Sequence, residues 1–205
     1  MRLPLDHLAV VARTLDEGCA HVRECLGVEM GPGGRHPAMG THNRLLSLGP
    51  DCYLEVIAID PEAPAPGRPR WFGLDRVDGA PRLATWLLRS SALTEDLARA
   101  PEAGRATPMQ RDTLRWLISV RDDGTLPMGG TLPSLIEWQT EPLPPARLSD
   151  SGCRLRGLTL IHPEPDALRA ALAPLDPGDV VTLSAGASAG LSADIDTPQG
   201  RRRLF

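Results

Sequence analysis

The sequence predicts an α+β fold built from repeated βαβββ modules, the last of them partial. Three observations predict it. Short apolar segments of strand length alternate with a few helical ones and are bounded by Gly and Pro. The pattern RLLSL…YLEVI of the first sixty residues returns as RWLIS…SLIEW in the next stretch, which superposes Glu137 on Glu55 and Arg115 on Arg44. Residues 155–168, LRGLTLIHPEPDAL, lie on residues 5–18, LDHLAVVARTLDEG, without a gap and with Asp166 over Asp16.

Residues 3–12 form a strand that is apolar on both faces. Thr14 or Asp16 caps a helix running to about residue 26, where Gly27 stops it. A short strand over 28–30 and the loop GPGGRHPAMG lead to strands 42–48 and 52–59, joined by the turn Gly49-Pro50-Asp51. Residues 1–60 are therefore a first module. A Pro-rich connector, 61–80, tucks Trp71 and Phe72 inward. The second module, 81–142, has a strand at 83–88, a helix at 93–100, a long strand at 111–120 and another at 132–139. The third, 153–205, has a strand from 155, a helix to about residue 173, and strands at 180–184 and 191–195. The GASAG run of residues 186–190 fits G-x-S-x-G, but a strand-like segment follows it and the last His, His162, lies upstream. It reads as a hairpin turn.

A chain of 205 residues buries a sizeable core. Its net charge of −4 leaves no basic footprint for nucleic acid. No run approaches the roughly 20 apolar residues of a membrane span, and the first residues lack the pattern of a signal peptide. The expectation is a soluble cytoplasmic protein with neither a membrane nor a nucleic-acid partner. Cys19, Cys25, Cys52 and Cys153 show no metal spacing and read as free thiols. The glycine-rich loop lacks the GK[ST] of a phosphate loop, so no nucleotide cofactor is expected.

Alternation in the strand 52–59 sends Tyr53, Glu55, Ile57 and Ile59 one way and Cys52, Leu54, Val56 and Ala58 the other. Both faces are apolar, so Glu55 needs a cation, a metal or hydrogen-bond donors. Glu137 raises the same question, and Arg44, Arg111 or Arg115 could hold either carboxylate. His7 shares a face with Leu5, Ala9 and Val11, as a core histidine or as a ligand. Asn43 shares a partly polar face with Thr41, Leu45 and Ser47, whereas His42 points away with Arg44. Arg111, Thr113 and Arg115 fall on one strand face, either an anchor for a carboxylate or phosphate or a solvated edge.

LDHLAVVA, the run Gly33-Gly34-Arg35-His36 with Gly40-Thr41-His42-Asn43, YLEVI and LPSLIEW together resemble the glyoxalase-like domain of the vicinal-oxygen-chelate superfamily, over roughly residues 3–139. The resemblance implies modules whose mixed sheets curve into a cup around one ligand site, with metal ligands on the first and last strands of each module. It makes His7, Glu55 and Glu137 metal ligands, with Glu55 or Glu137 moving a proton. The fourth ligand position falls near Thr85 or Trp86, neither a good ligand, and Trp86 would wall the pocket. A second His is missing from its strand, which argues against ring-cleaving Fe(II) chemistry. The implied cofactor is a divalent metal such as Zn, Mn, Ni or Mg. The implied activity is lyase or isomerase chemistry on a small polar or anionic metabolite, contacted by His36, Asn43, Arg111, Arg115 and Trp86. The alternative is a non-catalytic small-molecule binder like the bleomycin-resistance proteins. Monomer and homodimer are both compatible with two modules in one chain.

Overall fold

The computed structural model describes residues 2–205. The first module comprises β1 (Leu5–Val11), α1 (Leu15–Leu26), β2 (Arg35–His36), β3 (Thr41–Ser47) and β4 (Tyr53–Ile59). The second comprises β5 (Arg82–Arg89), α2 (Leu93–Arg99), β6 (Arg105–Arg111), β7 (Leu114–Val120) and β8 (Ser134–Trp138). All eight strands form one mixed sheet in the order β2-β3-β4-β1-β5-β8-β7-β6. In each half the first strand runs parallel to the last, β1 beside β4 and β5 beside β8, and β1 meets β5 antiparallel at the centre. Local chemistry sets the ends of α1. The Thr14 hydroxyl accepts from the Glu17 N–H at 3.2 Å, and Gly27 closes the helix at φ 70°.

The sheet rolls until its two edges touch. Arg111 at the end of β6 brings Nη1 to 3.3 Å from His36 Nε2 on β2 and 3.4 Å from Asn43 Oδ1 on β3. The result is the curved mixed-sheet cup. Its inner face carries Val11, Ile57, Leu87, Trp116, Ile118 and Ile136. Trp71, Phe72 and Leu74 of the inter-module connector pack against them and plug the cup. Phe72 does so at φ 58°, a left-handed conformation costing on the order of 1–3 kcal/mol for a bulky residue. Burial of the two stacked aromatic rings, 5.6 Å apart, offsets it.

Three strand expectations are corrected. The segment 28–30 is not a strand; pairing is confined to a Gly31–Leu45 bridge and the two residues of β2. Gly33 lies so close to β3 that a Cβ there would stand 1.9 Å from the Asn43 carbonyl oxygen, and Pro37 has no N–H to continue the ladder. The long strand 111–120 is two strands, because Asp112 turns the chain at φ 52° between β6 and β7. Arg111 and Arg115 therefore do not share a face. The run 186–190 is not a hairpin turn either, since the strands it joins lie on opposite sides of β9.

The last unit is β9 (Arg154–His162), α3 (Pro165–Leu172), β10 (Val181–Ala185), β11 (Gly190–Thr197) and β12 (Gly200–Leu204), a separate sheet in the order β10-β9-β11-β12. Its strand–helix opening repeats the first module, but β9 then pairs parallel with β10, the next strand, and antiparallel with β11. Asp194 and Asp196 of β11 ion-pair with Arg203 and Arg201 of β12, which holds the arginine-rich last strand in place. This sheet covers the outer face of the large one. Leu158, Leu160, Leu191 and Ile195 join Leu8, Leu54, Leu83, Trp86 and Leu88 in one core. All four cysteines are free, and no helix among the described residues is long and apolar enough to cross a membrane.

Candidate functional site

Alternation along β1 should send Asp6 and His7 to opposite faces, yet they form one unit. Between Leu5 and His7 the β1–β5 register slips, with Leu5 opposite Leu88 and His7 opposite Leu87. Asp6 is the extra residue of a β-bulge. The bulge moves Leu5 to the outer core and leaves the carboxylate beside the imidazole. Asp6 Oδ1 lies 2.7 Å from His7 Nδ1. A carboxylate only accepts, so Nδ1 donates to Asp6, and Nε2 is the ring nitrogen that faces the cup. Asp6 has no solvent exposure. Its other oxygen accepts from Trp138 Nε1 at 3.0 Å and lies 3.1 Å from Arg89 Nε, which satisfies the buried charge. The His7 ring stacks on Tyr53 at 4.4 Å.

On the neighbouring strand β4, Glu55 Oε2 stands 3.7 Å from His7 Nε2. Glu55 Oε1 accepts from Asn43 Nδ2 at 2.5 Å, and Asn43 Oδ1 accepts from the Gly34 N–H at 2.7 Å. Those two bonds orient the amide. His36 is buried, with Nδ1 3.1 Å from the Thr41 hydroxyl and Nε2 facing the Arg111 guanidinium. Burial, reinforced by the Arg111 charge, pushes its pKa down to about 3, so the ring is neutral. Trp71 completes the wall, edge-on to His36 at 5.2 Å, with an indole N–H that has no protein partner. The enclosed space left among these groups is about 30 Å³, room for water or the head of a small molecule.

The cup thus collects His7, Glu55, His36, Asn43 and Arg111. It does not collect Glu137, Arg115 or Trp86. Glu137 sits on β8 between Ile136 and Trp138, which face inward, so its side chain leaves on the outer side. There its Oε2 accepts from the Leu93 N–H at 2.7 Å, at the start of α2. The superposition of Glu137 on Glu55 is true of the sequence and false of the sheet face. Trp86 is fully buried in the outer core and donates to the Thr131 carbonyl at 2.9 Å, so it walls no pocket. Arg115 is exposed on the outside of the cup.

Asp6 was not anticipated as a site residue. The sequence carried a signal nonetheless. A carboxylate placed by alternation on the helix-packed face of an apolar strand is a conflict that a bulge resolves.

The metal expectation is tested by the donor set. A zinc-type centre is held by three or four converging protein donors. Here two converge, His7 Nε2 and Glu55. Glu137 lies on the other face, His36 is turned to a guanidinium, and the second module presents Ile136 and Trp138 to the same cavity. Among the described residues no group of three or more His, Cys, Asp and Glu side chains is arranged to hold a metal ion. These residues do not fit the His7–Glu55–Glu137 centre.

Comparison with known proteins agrees with the cup. The sequence matches the glyoxalase-like domain family over residues 5–175. No curated protein matches it. A crystal structure of a hypothetical protein from Staphylococcus aureus is similar over 93% of this chain and 88% of that one, with 16% identity and a TM-score of 0.62. Methylmalonyl-CoA epimerase from Mycobacterium tuberculosis is similar over 67% of this chain and 88% of that one, at 20% identity and a TM-score of 0.43. A Streptomyces coelicolor methylmalonyl-CoA epimerase variant in complex with 2-nitronate-propionyl-CoA covers 70% of this chain and 100% of that one, at 13% identity and a TM-score of 0.44.

Proposed function

The chain belongs to the glyoxalase-like domain family, and from that premise we propose that it is a proton-transfer enzyme of the isomerase or lyase class acting on a small carboxylate. The observation that carries this reading is the Asp6–His7–Glu55 line, with His7 and Glu55 facing into the cup. Asp6 fixes the His7 tautomer, so Nε2 takes a proton from a carbon next to the substrate's carbonyl or carboxylate group. Arg111 and the indole N–H of Trp71 stabilise the oxygen on which charge develops. Glu55, in its protonated form, returns a proton to the resulting enolate. Transfer across the 3.7 Å gap from His7 to Glu55 then restores both groups, so the site ends as it began. The protein groups named here complete the cycle.

Solvent-deuterium incorporation tests the reading. Pyruvate, 2-oxobutyrate and lactate are incubated with the protein in D₂O and followed by proton NMR. The expected result is exchange at the carbon next to the carboxylate or carbonyl group of at least one probe, reduced about 10²–10⁴-fold in His7→Asn. One observation favours the binder alternative, namely that the second module brings no carboxylate to the cup. Saturable binding with no exchange in any probe would select that alternative.

A further inference from the structure

Where the sheet edges meet, a second and much larger depression lies outside the cup. It is a groove of about 840 Å³ between the β2 side and the β6–β7 hairpin. Arg35, Arg111, Arg115, Gln110 and Gln139 line it, and Asp112 is its one acidic residue. Arg111 belongs to both spaces, since it also lines the inner cavity. Arg35 is shared with Asp60 and Glu62, at 3.5 and 2.5 Å. Arg111 and Arg115 have no carboxylate within ion-pair distance among the described residues. A guanidinium offers a planar fork of donors that matches phosphate or carboxylate oxygens in pairs. Arg115 along the groove, Arg111 at its junction with the cup and two amides form a receptor for an anion.

We propose that this groove binds the anionic tail of the substrate, a phosphate or a second carboxylate, while the reacting end enters the cup past Arg111. The inference rests on the proton-transfer reading only in making Arg111 the passage between the two spaces. It divides the labour of the two arginines that alternation along 111–120 set on one strand face. Arg111 serves the reacting end, and Arg115 holds the tail. It also accounts for a cup whose free space is water-sized, because most of such a ligand lies outside it.

Calorimetric titration with pyrophosphate, and separately with succinate, tests the groove at physiological salt on wild type, Arg115→Ala and His7→Asn. The expected result is saturable one-to-one binding of at least one of the two anions, weakened at least about fivefold in Arg115→Ala and by added salt, and unchanged in His7→Asn. Preference for pyrophosphate assigns the tail as phosphate, and preference for succinate assigns it as carboxylate. Absence of saturable binding, or equal binding by wild type and Arg115→Ala, overturns the proposal. Arg115-dependent binding without deuterium exchange in any probe would keep the groove and remove the proton-transfer reading.

Discussion

Asp6 and His7, neighbours in the chain, are hydrogen-bonded side chain to side chain at 2.7 Å because a bulge in β1 brings the carboxylate beside the ring that lines the cup. Asp6→Asn keeps the shape and removes the charge that fixes the ring. The amide presents a donor where His7 Nδ1–H needs an acceptor, so the ring is freed to turn its proton toward Glu55. Deuterium exchange is expected to fall at least about tenfold with the circular dichroism spectrum unchanged. Full exchange in Asp6→Asn would show that His7 does not depend on this partner.

Glu55→Gln and Glu137→Ala should separate function from stability. Glu55→Gln removes the group that returns the proton, and exchange is lost while the fold persists. Glu137→Ala removes the acceptor for the Leu93 N–H at the start of α2, and costs about 1 kcal/mol in urea unfolding. Exchange stays at the wild-type rate. The reverse pattern would return Glu137 to the site.

His36 gives the protein a specific acid sensitivity. Its folded pKa of about 3 lies below the ordinary histidine value of 6.5, so between those values the unfolded chain binds a proton that the folded one refuses. Stability from this residue is complete above about pH 6.5 and is lost as pH falls toward 3, with a slope of about 1.4 kcal/mol per pH unit at most. Urea midpoints measured from pH 7 to pH 4 should fall less steeply in His36→Gln than in wild type.

Gly33→Ala is expected to be severe for so small a change. The added methyl meets the Asn43 carbonyl at 1.9 Å, so β2 must leave β3 and carry His36 away from Arg111. A loss on the order of 3 kcal/mol in thermal or urea unfolding follows from such strain. A wild-type unfolding curve would mean that the loop holds β2 in some other way.

Periodicity made much of this fold legible. The α1 boundaries followed from Thr14 and Gly27, and the inward face of β4 followed from alternation, which put Tyr53, Glu55 and Ile57 in the cup. Alternation failed wherever the ladder gained or lost a residue. The bulge at Asp6 hid the partner of His7, and the turn at Asp112 parted Arg111 from Arg115. Repetition misled at Glu137 because similar sequence on two strands does not fix which face is inner. The last unit repeats a strand and a helix but pairs its next strands differently, because pairing is decided by long-range packing against the large sheet. The arginine-rich β12 carried no apolar signal at all.

The proton on His7 tests the central claim most directly. A long-range proton–nitrogen NMR spectrum of the histidine rings, recorded on wild type and Asp6→Asn, reads which nitrogen carries it. The account predicts a His7 ring whose proton sits on Nδ1 with Nε2 bare in the wild type, and that preference is lost in Asp6→Asn. A wild-type ring protonated on Nε2, with no acceptor facing Glu55, would contradict it.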